Sequence, residues 1–108
     1  MKTKKNKGTL IWVTGLSGSG KSYIAKEIKK KLNEKKINNI IIHGDDLRRI
    51  FKLNKYDKKS RLSYAYSYSL LCKKITNQGI NVIIATIAMF HEIRKWNRKN
   101  IKNYYEVY

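Results

Sequence analysis

Residues 13–28 read VTGLSGSGKSYIAKEI. The apolar segment Thr9–Thr14 (TLIWVT) runs into Gly15–Gly20, which holds three glycines and two serines, and Lys21-Ser22 opens a different pattern. A short continuous apolar run suits a strand buried on both faces. From Lys21 onward, Ile24, Ile28 and Leu32 recur at four-residue steps with Ala25 beside them, which predicts a helix of about four turns with one narrow apolar stripe. A strand, a glycine-rich turn and a helix in immediate succession form a cradle for an anion. Glycines let backbone N–H groups turn inward without Cβ obstruction, and the positive end of the helix faces the same point.

Outward from this unit the same alternation repeats. Asn38 and Asn39 punctuate, and Ile40–Ile42 forms a second buried strand that ends in HGDD, with a short helix from Asp46 to about Phe51. Tyr64, Tyr66 and Tyr68 alternate with small residues, a strand signal in isolation. Over a wider window Leu62, Ala65, Tyr66, Ser69, Cys72 and Ile75 follow helical spacing. The reading is therefore a helix from about Lys58 to Asn77, with Asp57 as N-cap and Gly79 as stop. NVIIATI (Asn81–Ile87) is a third buried strand, Phe90 to about Ile101 another helix, and YYEVY (Tyr104–Tyr108) the start of a fourth strand. Strands that are apolar throughout and alternate with helices predict a parallel α/β sheet covered by helices on both faces. With Gly15–Ser22 matching G-x-x-x-x-G-K-[ST], the fold class is a P-loop NTPase-type sheet. A fourth strand with no helix after it leads us to expect the front part of a larger domain, truncated after about that strand. Residues 1–8 read as a basic disordered tail and 9–108 as the N-terminal part of the P-loop domain.

The 108 residues suffice for one domain with a modest core. No apolar run approaches the ~20 residues of a membrane helix, and no signal-length apolar stretch follows the basic N-terminus, so a cytoplasmic protein with no membrane partner is expected. One cysteine, Cys72, excludes an internal disulfide and a multi-cysteine zinc site. The formal charge of +18 raises the question of nucleic acid. Lysines outnumber arginines 20 to 5 and are scattered, as on Lys29–Lys31 and Lys35–Lys36. Arginine's planar fork is the better reader of phosphate and guanine edges, so no dedicated nucleic-acid surface is expected.

Within the loop, Gly15, Leu16, Ser17, Gly18, Ser19, Gly20, Lys21 and Ser22 are the expected triphosphate ligands. Lys21 reaches the β- and γ-phosphates and the Ser22 hydroxyl ligates Mg²⁺. A second acid usually closes such a site from the end of another strand. The chain has seven: Glu27, Glu34, Asp45, Asp46, Asp57, Glu92 and Glu106. Strand 81–87 ends without one, and Glu27 and Glu34 lie along the first helix away from its start. Asp45 and Asp46 close strand 2 at the edge where open parallel sheets bind ligands. Asp45 is the expected base and metal contact, and capping of the next helix is its alternative role. In so lysine-rich a chain, Arg48, Arg49 and Arg61 stand out as oxyanion forks. Arg94 and Arg98 lie one turn apart and face either this edge or solvent.

GLSGSGKS, HGDDLR (His43–Arg48), YDKKSR (Tyr56–Arg61), NVIIATI and the closing EVY together resemble adenylyl-sulfate kinase over nearly the whole chain. That resemblance implies transfer of the γ-phosphate of ATP, with Mg²⁺, to the 3′-hydroxyl of adenylyl sulfate. It implies Asp45 and Lys21 as catalytic groups, Arg48 and Arg61 as holders of the acceptor nucleotide, Tyr56 as a stacking aromatic and Ile87 as a further acceptor contact. A homodimer is one candidate assembly. Three positions depart from the family pattern. Its D-G-D is His43-Gly44-Asp45, its asparagine and paired arginines after the Arg61 position are Tyr64, Tyr66 and Ser67, and its F-I-S-P-Y is Thr86-Ile87-Ala88-Met89-Phe90. The ATP end is intact and the acceptor end altered, which also resembles the cytidine diphosphoramidate kinases, with a cytidine diphosphate derivative as acceptor. Another small-molecule kinase or NTP hydrolase, and a nucleotide- or nucleic-acid-binding fragment, are the competing classes.

Overall fold

A computed structural model describes residues 7–15, 20–87 and 90–107. In chain order these form β1 (Thr9–Thr14), α1 (Lys21–Glu34), β2 (Ile40–His43), α2 (Gly44–Ile50), α3 (Lys58–Thr76), β3 (Val82–Thr86), α4 (His91–Asn100) and β4 (Asn103–Val107). The strands make one sheet in the order β2-β3-β1-β4, and every neighbouring pair is parallel. Leu10 lies opposite Val82 and Tyr104, and Ile40 opposite Val82. All four strands therefore end on one rim.

Alternation along the strands divides the core into two layers. Val13, Ile83 and Ala85, with Ile11 and Ile41, meet Ala25, Ile24, Ile28 and Leu32 of α1 on one face. Leu10, Trp12, Val82 and Ile84 meet Leu47, Ala65, Cys72 and Ile93 on the other. Leu10, Ile83 and Ile84 are fully buried, and each such side chain stabilises the fold by about 1.5–3 kcal/mol. The connection from β1 to β2 passes over β3 in one direction, while those from β2 to β3 and from β3 to β4 run back the other way. Right-handed crossovers then put α1 on the opposite face from α3 and α4. The reversal opens a crevice at the carboxyl ends of β1 and β3, where such sheets take their ligands.

The expected elements are present, with shifted ends. Helix α2 begins at Gly44 rather than Asp46, directly off β2, and β3 is Val82–Thr86 rather than 81–87. Gly44 is buried because an added Cβ there would lie 2.9 Å from Thr86 Oγ1 and 3.1 Å from its Cβ, so glycine lets α2 start hard against β3. The tail, expected to run through residue 8, ends sooner. Gly8 is buried and its N–H donates to Thr76 O at 2.7 Å. The rest of that tail, Met1–Asn6, lies outside the described residues. The tyrosine-rich segment is helical: Ala65, Tyr68, Ser69, Cys72 and Thr76 form its buried stripe, and Gly79 closes it in the left-handed conformation (φ +88°).

Asp57 caps α3, its carboxylate accepting from Ser60 N–H at 3.0 Å. The Ser60 side chain first, and then that backbone bond, hold the carboxyl below its ordinary value of 3.8. A lowered folded-state value means that the stabilisation is complete above about pH 3.8 and is lost as pH falls through the folded value. Asp57→Ala should therefore lower the melting temperature at pH 7, with the gap to the parent chain closing in acid below pH 3.8. Thermal melts at both pH values check this.

Candidate active site

Three strand ends meet at the carboxyl rim. β1 leads into Gly15, β2 into Gly44-Asp45, and β3 into Ile87, with Thr14 opposite Thr86 and His43 opposite Ala85. Leu16, Ser17, Gly18 and Ser19 of the loop lie outside the described residues. Gly20 precedes α1 with φ +87°, a conformation that L side chains rarely adopt, although a Cβ there would meet nothing within 4 Å. The requirement for glycine is thus conformational, not steric. Its carbonyl accepts the first helical bond, from Ile24 N–H at 3.0 Å. Among the described residues no side chain caps α1, and no acid stands in its first turn, an arrangement that suits an anion at its N-terminal N–H groups. Lys21 and Ser22 occupy that first turn, Ser22 exposed.

Asp45 stands on the same rim, across β3 from the loop. Two strand spacings, about 10 Å, separate the ends of β1 and β2, with the end of β3 between them. The two adjacent acids are sorted by their partners. Asp46 pairs with Arg49 on the surface of α2, whereas Asp45 lines a cavity and makes no hydrogen bond or ion pair among the described residues. The N-cap of α2 is His43, with no side-chain cap bond, so Asp45 does not cap the helix.

The cavity, of about 510 Å³, is lined by Asp45, Arg48, Tyr56, Arg61, Ile87 and Phe90, with Gly44, Tyr64, Ala65, Tyr68 and Thr86 completing its wall. It unites Asp45 with all four side chains expected to hold an acceptor. The Arg48 guanidinium lies 4.3 Å from the Tyr56 ring centroid and 5.2 Å from that of Tyr64, and donates to Lys55 O at 3.0 Å. Tyr64 fixes the same segment, its hydroxyl accepting from Lys55 N–H at 3.2 Å. The Arg61 guanidinium sits 5.7 Å from the Phe90 ring centroid. Two cations held against aromatic faces, with one free carboxylate, describe a receptor for an anionic, ring-bearing molecule that carries a group to be deprotonated. Residues 7–108 match the adenylylsulphate kinase family.

The chain belongs to that family. It is 44% identical over 104 residues to the cytidine diphosphoramidate kinase of Campylobacter jejuni, covering 96% of this chain and 61% of that protein. It is 32% identical to the adenylyl-sulfate kinase of Gloeothece citriformis, covering 96% of this chain and 60% of the relative. Among solved structures, the Mycobacterium tuberculosis APS kinase CysC in complex with AMPPNP and APS superposes with a TM-score of 0.83 at 30% identity, over 94% of this chain and 61% of that one. The chain thus spans about 60% of the length of the relatives it matches.

Within this kinase-family site the sequence reading had not included Tyr64, Tyr68 or Phe90 among the cavity residues. Arg61, Tyr64, Ala65 and Tyr68 fall at i, i+3, i+4 and i+7, one face of α3, and that spacing was the available signal. Arg98, left open before, turns to β4, where it donates to Glu106 Oε1 at 2.8 Å. The other Glu106 oxygen accepts from the Tyr104 hydroxyl at 3.0 Å. Burial raises the Tyr104 phenol well above its ordinary range.

Among the described residues no group of three His, Cys, Asp or Glu side chains converges on a metal position. One hydroxyl and one free carboxylate on a shared rim is nevertheless the donor set that suits Mg²⁺, an ion that keeps waters and is held largely through substrate phosphates. No helix among the described residues is long and apolar enough to cross a membrane.

Proposed function

We propose that the chain forms the ATP- and acceptor-binding part of a kinase that moves the γ-phosphate of ATP onto the 3′-hydroxyl of a nucleotide. The supporting observation is one cavity that joins Asp45, Arg48, Tyr56, Arg61 and Ile87, on the carboxyl rim where β1 leads into Gly15. Gly15 to Ser22 hold the triphosphate, Lys21 balancing charge on its β- and γ-oxygens. Arg48 and Arg61 take the acceptor's anionic groups, and Tyr56, 74% exposed, offers its open face to the base. Asp45 orients the acceptor hydroxyl and accepts its proton as the new P–O bond forms and the β–γ bridging bond breaks, with ADP leaving. Ser22 and Asp45 would hold Mg²⁺, which would supply further charge neutralisation at the phosphates. Most of the barrier in such transfers is lowered by positioning and electrostatics. A cytoplasmic setting, where ATP is at hand, is part of this reading.

Adenylyl sulfate is the first acceptor class. A cytidine diphosphate derivative is the second, favoured by Tyr64 in place of the family's asparagine and by the 44% identity to a cytidine diphosphoramidate kinase. ADP release measured with each acceptor and with none tests the proposal. ADP should form only with an acceptor, and a 3′-deoxy acceptor should abolish it. ADP that forms equally well without acceptor would mean a hydrolase.

A further inference from the structure

Tyr68 contributes a cavity wall from the middle of α3 and is 6% exposed. Its hydroxyl is buried and, among the described residues, has no hydrogen-bond partner. Sealing an unpaired hydroxyl from water costs about 1–3 kcal/mol, and native chains rarely keep such a group without a use for it. The charged and polar groups whose fields reach this phenol are Arg48, Asp45 and Tyr64, all on the same cavity. Burial raises its pKa, opposed by Arg48 and reinforced by Asp45 and Tyr64.

Two of these three neighbours are already engaged. Arg48 bonds Lys55 O and packs on two rings, and the Tyr64 hydroxyl takes the Lys55 N–H. Asp45 is different: it is exposed, it accepts only, and among the described residues it has no partner. One orphaned donor and one orphaned acceptor thus share a cavity. An acceptor nucleotide that fills the cavity strips water from the Asp45 carboxylate, and the lost hydration must be replaced.

We propose that Tyr68 is a positioning residue, whose hydroxyl donates to the Asp45 carboxylate when the cavity is filled and aims its other oxygen at the acceptor hydroxyl. The proposal rests on the reading of Asp45 as the base. It assigns no contact with substrate to Tyr68: the hydroxyl is buried in the unliganded protein and acts through Asp45.

Tyr68→Phe removes that oxygen alone and keeps the packed ring. With the acceptor that the parent protein uses, kcat should fall about ten-fold, the worth of one hydrogen bond to a charged group. The acceptor KM should stay within about two-fold, marking an interaction made only in the transition state. The melting temperature of the unliganded protein should hold or rise, since an unpaired buried hydroxyl has been removed. An unchanged kcat overturns the proposal. So does a loss confined to KM, which would make Tyr68 a substrate contact, and so does a fall in kcat matched by a lower melting temperature. If the parent protein turns over neither acceptor, the kinase reading fails first and takes this proposal with it.

Discussion

Asp45→Asn should reduce turnover by about a thousand-fold, within the range that a positioned general base supplies, while ATP affinity stays within a few-fold. Asparagine keeps the shape and the hydrogen-bonding reach of the side chain but cannot hold the proton. No other acid lines the cavity that holds Asp45, and Glu92 lies on the exposed start of α4. Asp46 is tied to Arg49, Asp57 to the start of α3, and Glu106 to Arg98 and Tyr104. Glu27 and Glu34 lie farther along α1, and β3 ends in Thr86. Stability should be unaffected, because the Asp45 side chain is exposed and has no partner among the described residues to lose. Single-turnover kinetics with both acceptors, together with ATP titration and a thermal melt, separate these quantities. Turnover within ten-fold of the parent would exclude Asp45 as the base.

The scaffold of this site was legible because a strand buried on both faces must be apolar, as in the central strands β1 and β3; Ile40–Ile42, expected to be buried in the same way, is instead an edge strand with Ile40 exposed and Ile41 and Ile42 half-buried. The loop's last glycine was legible because backbone conformation demands it: Gly20 has φ +87°. Arg48 and Arg61 stood out against a lysine background, and both line the cavity. What periodicity cannot do is tell a core face from a cavity face. Tyr68 and Ala65 lie on one stripe of α3, and only the position of α2 across from it makes part of that stripe a binding wall. The same limit applied to the two adjacent acids. Asp45 and Asp46 differ by one residue, about 100° around a helix, and the site is decided by which of them Arg49 takes. Arg98 and Glu106 are joined across α4 and β4 by tertiary packing, which no local spacing encodes.

At the other rim of the sheet, Gly8→Ala should cost on the order of 3 kcal/mol or more, in the class of substitutions that force atoms into packed backbone. A Cβ on Gly8 would overlap the carbonyl oxygen and carbon of Ile80 and come 3.0 Å from Asn81 N. These are main-chain atoms that cannot swing aside as a side chain can. They are also pinned: Thr9 N–H donates to Asn81 Oδ1 at 2.7 Å, Ile40 N–H to Asn81 O at 2.9 Å, and Asn81 Nδ2 to Asn38 O at 3.0 Å. Relief of the clash must therefore part Gly8 from the Thr76 carbonyl it bonds or shift β1 against β3. For a domain of this size such a cost corresponds to a fall of more than about 10 °C in melting temperature. The carboxyl rim lies about 20 Å away along β1, so protein that remains folded in the cold should still bind ATP. A melting temperature within 2 °C of the parent, ~0.5 kcal/mol or less, would mean that this rim yields far more easily than its hydrogen bonds imply. Asp45→Asn should thus silence the chemistry and spare the fold, and Gly8→Ala should do the reverse, because the parallel sheet puts structural closure at one end of its strands and the reactive groups at the other.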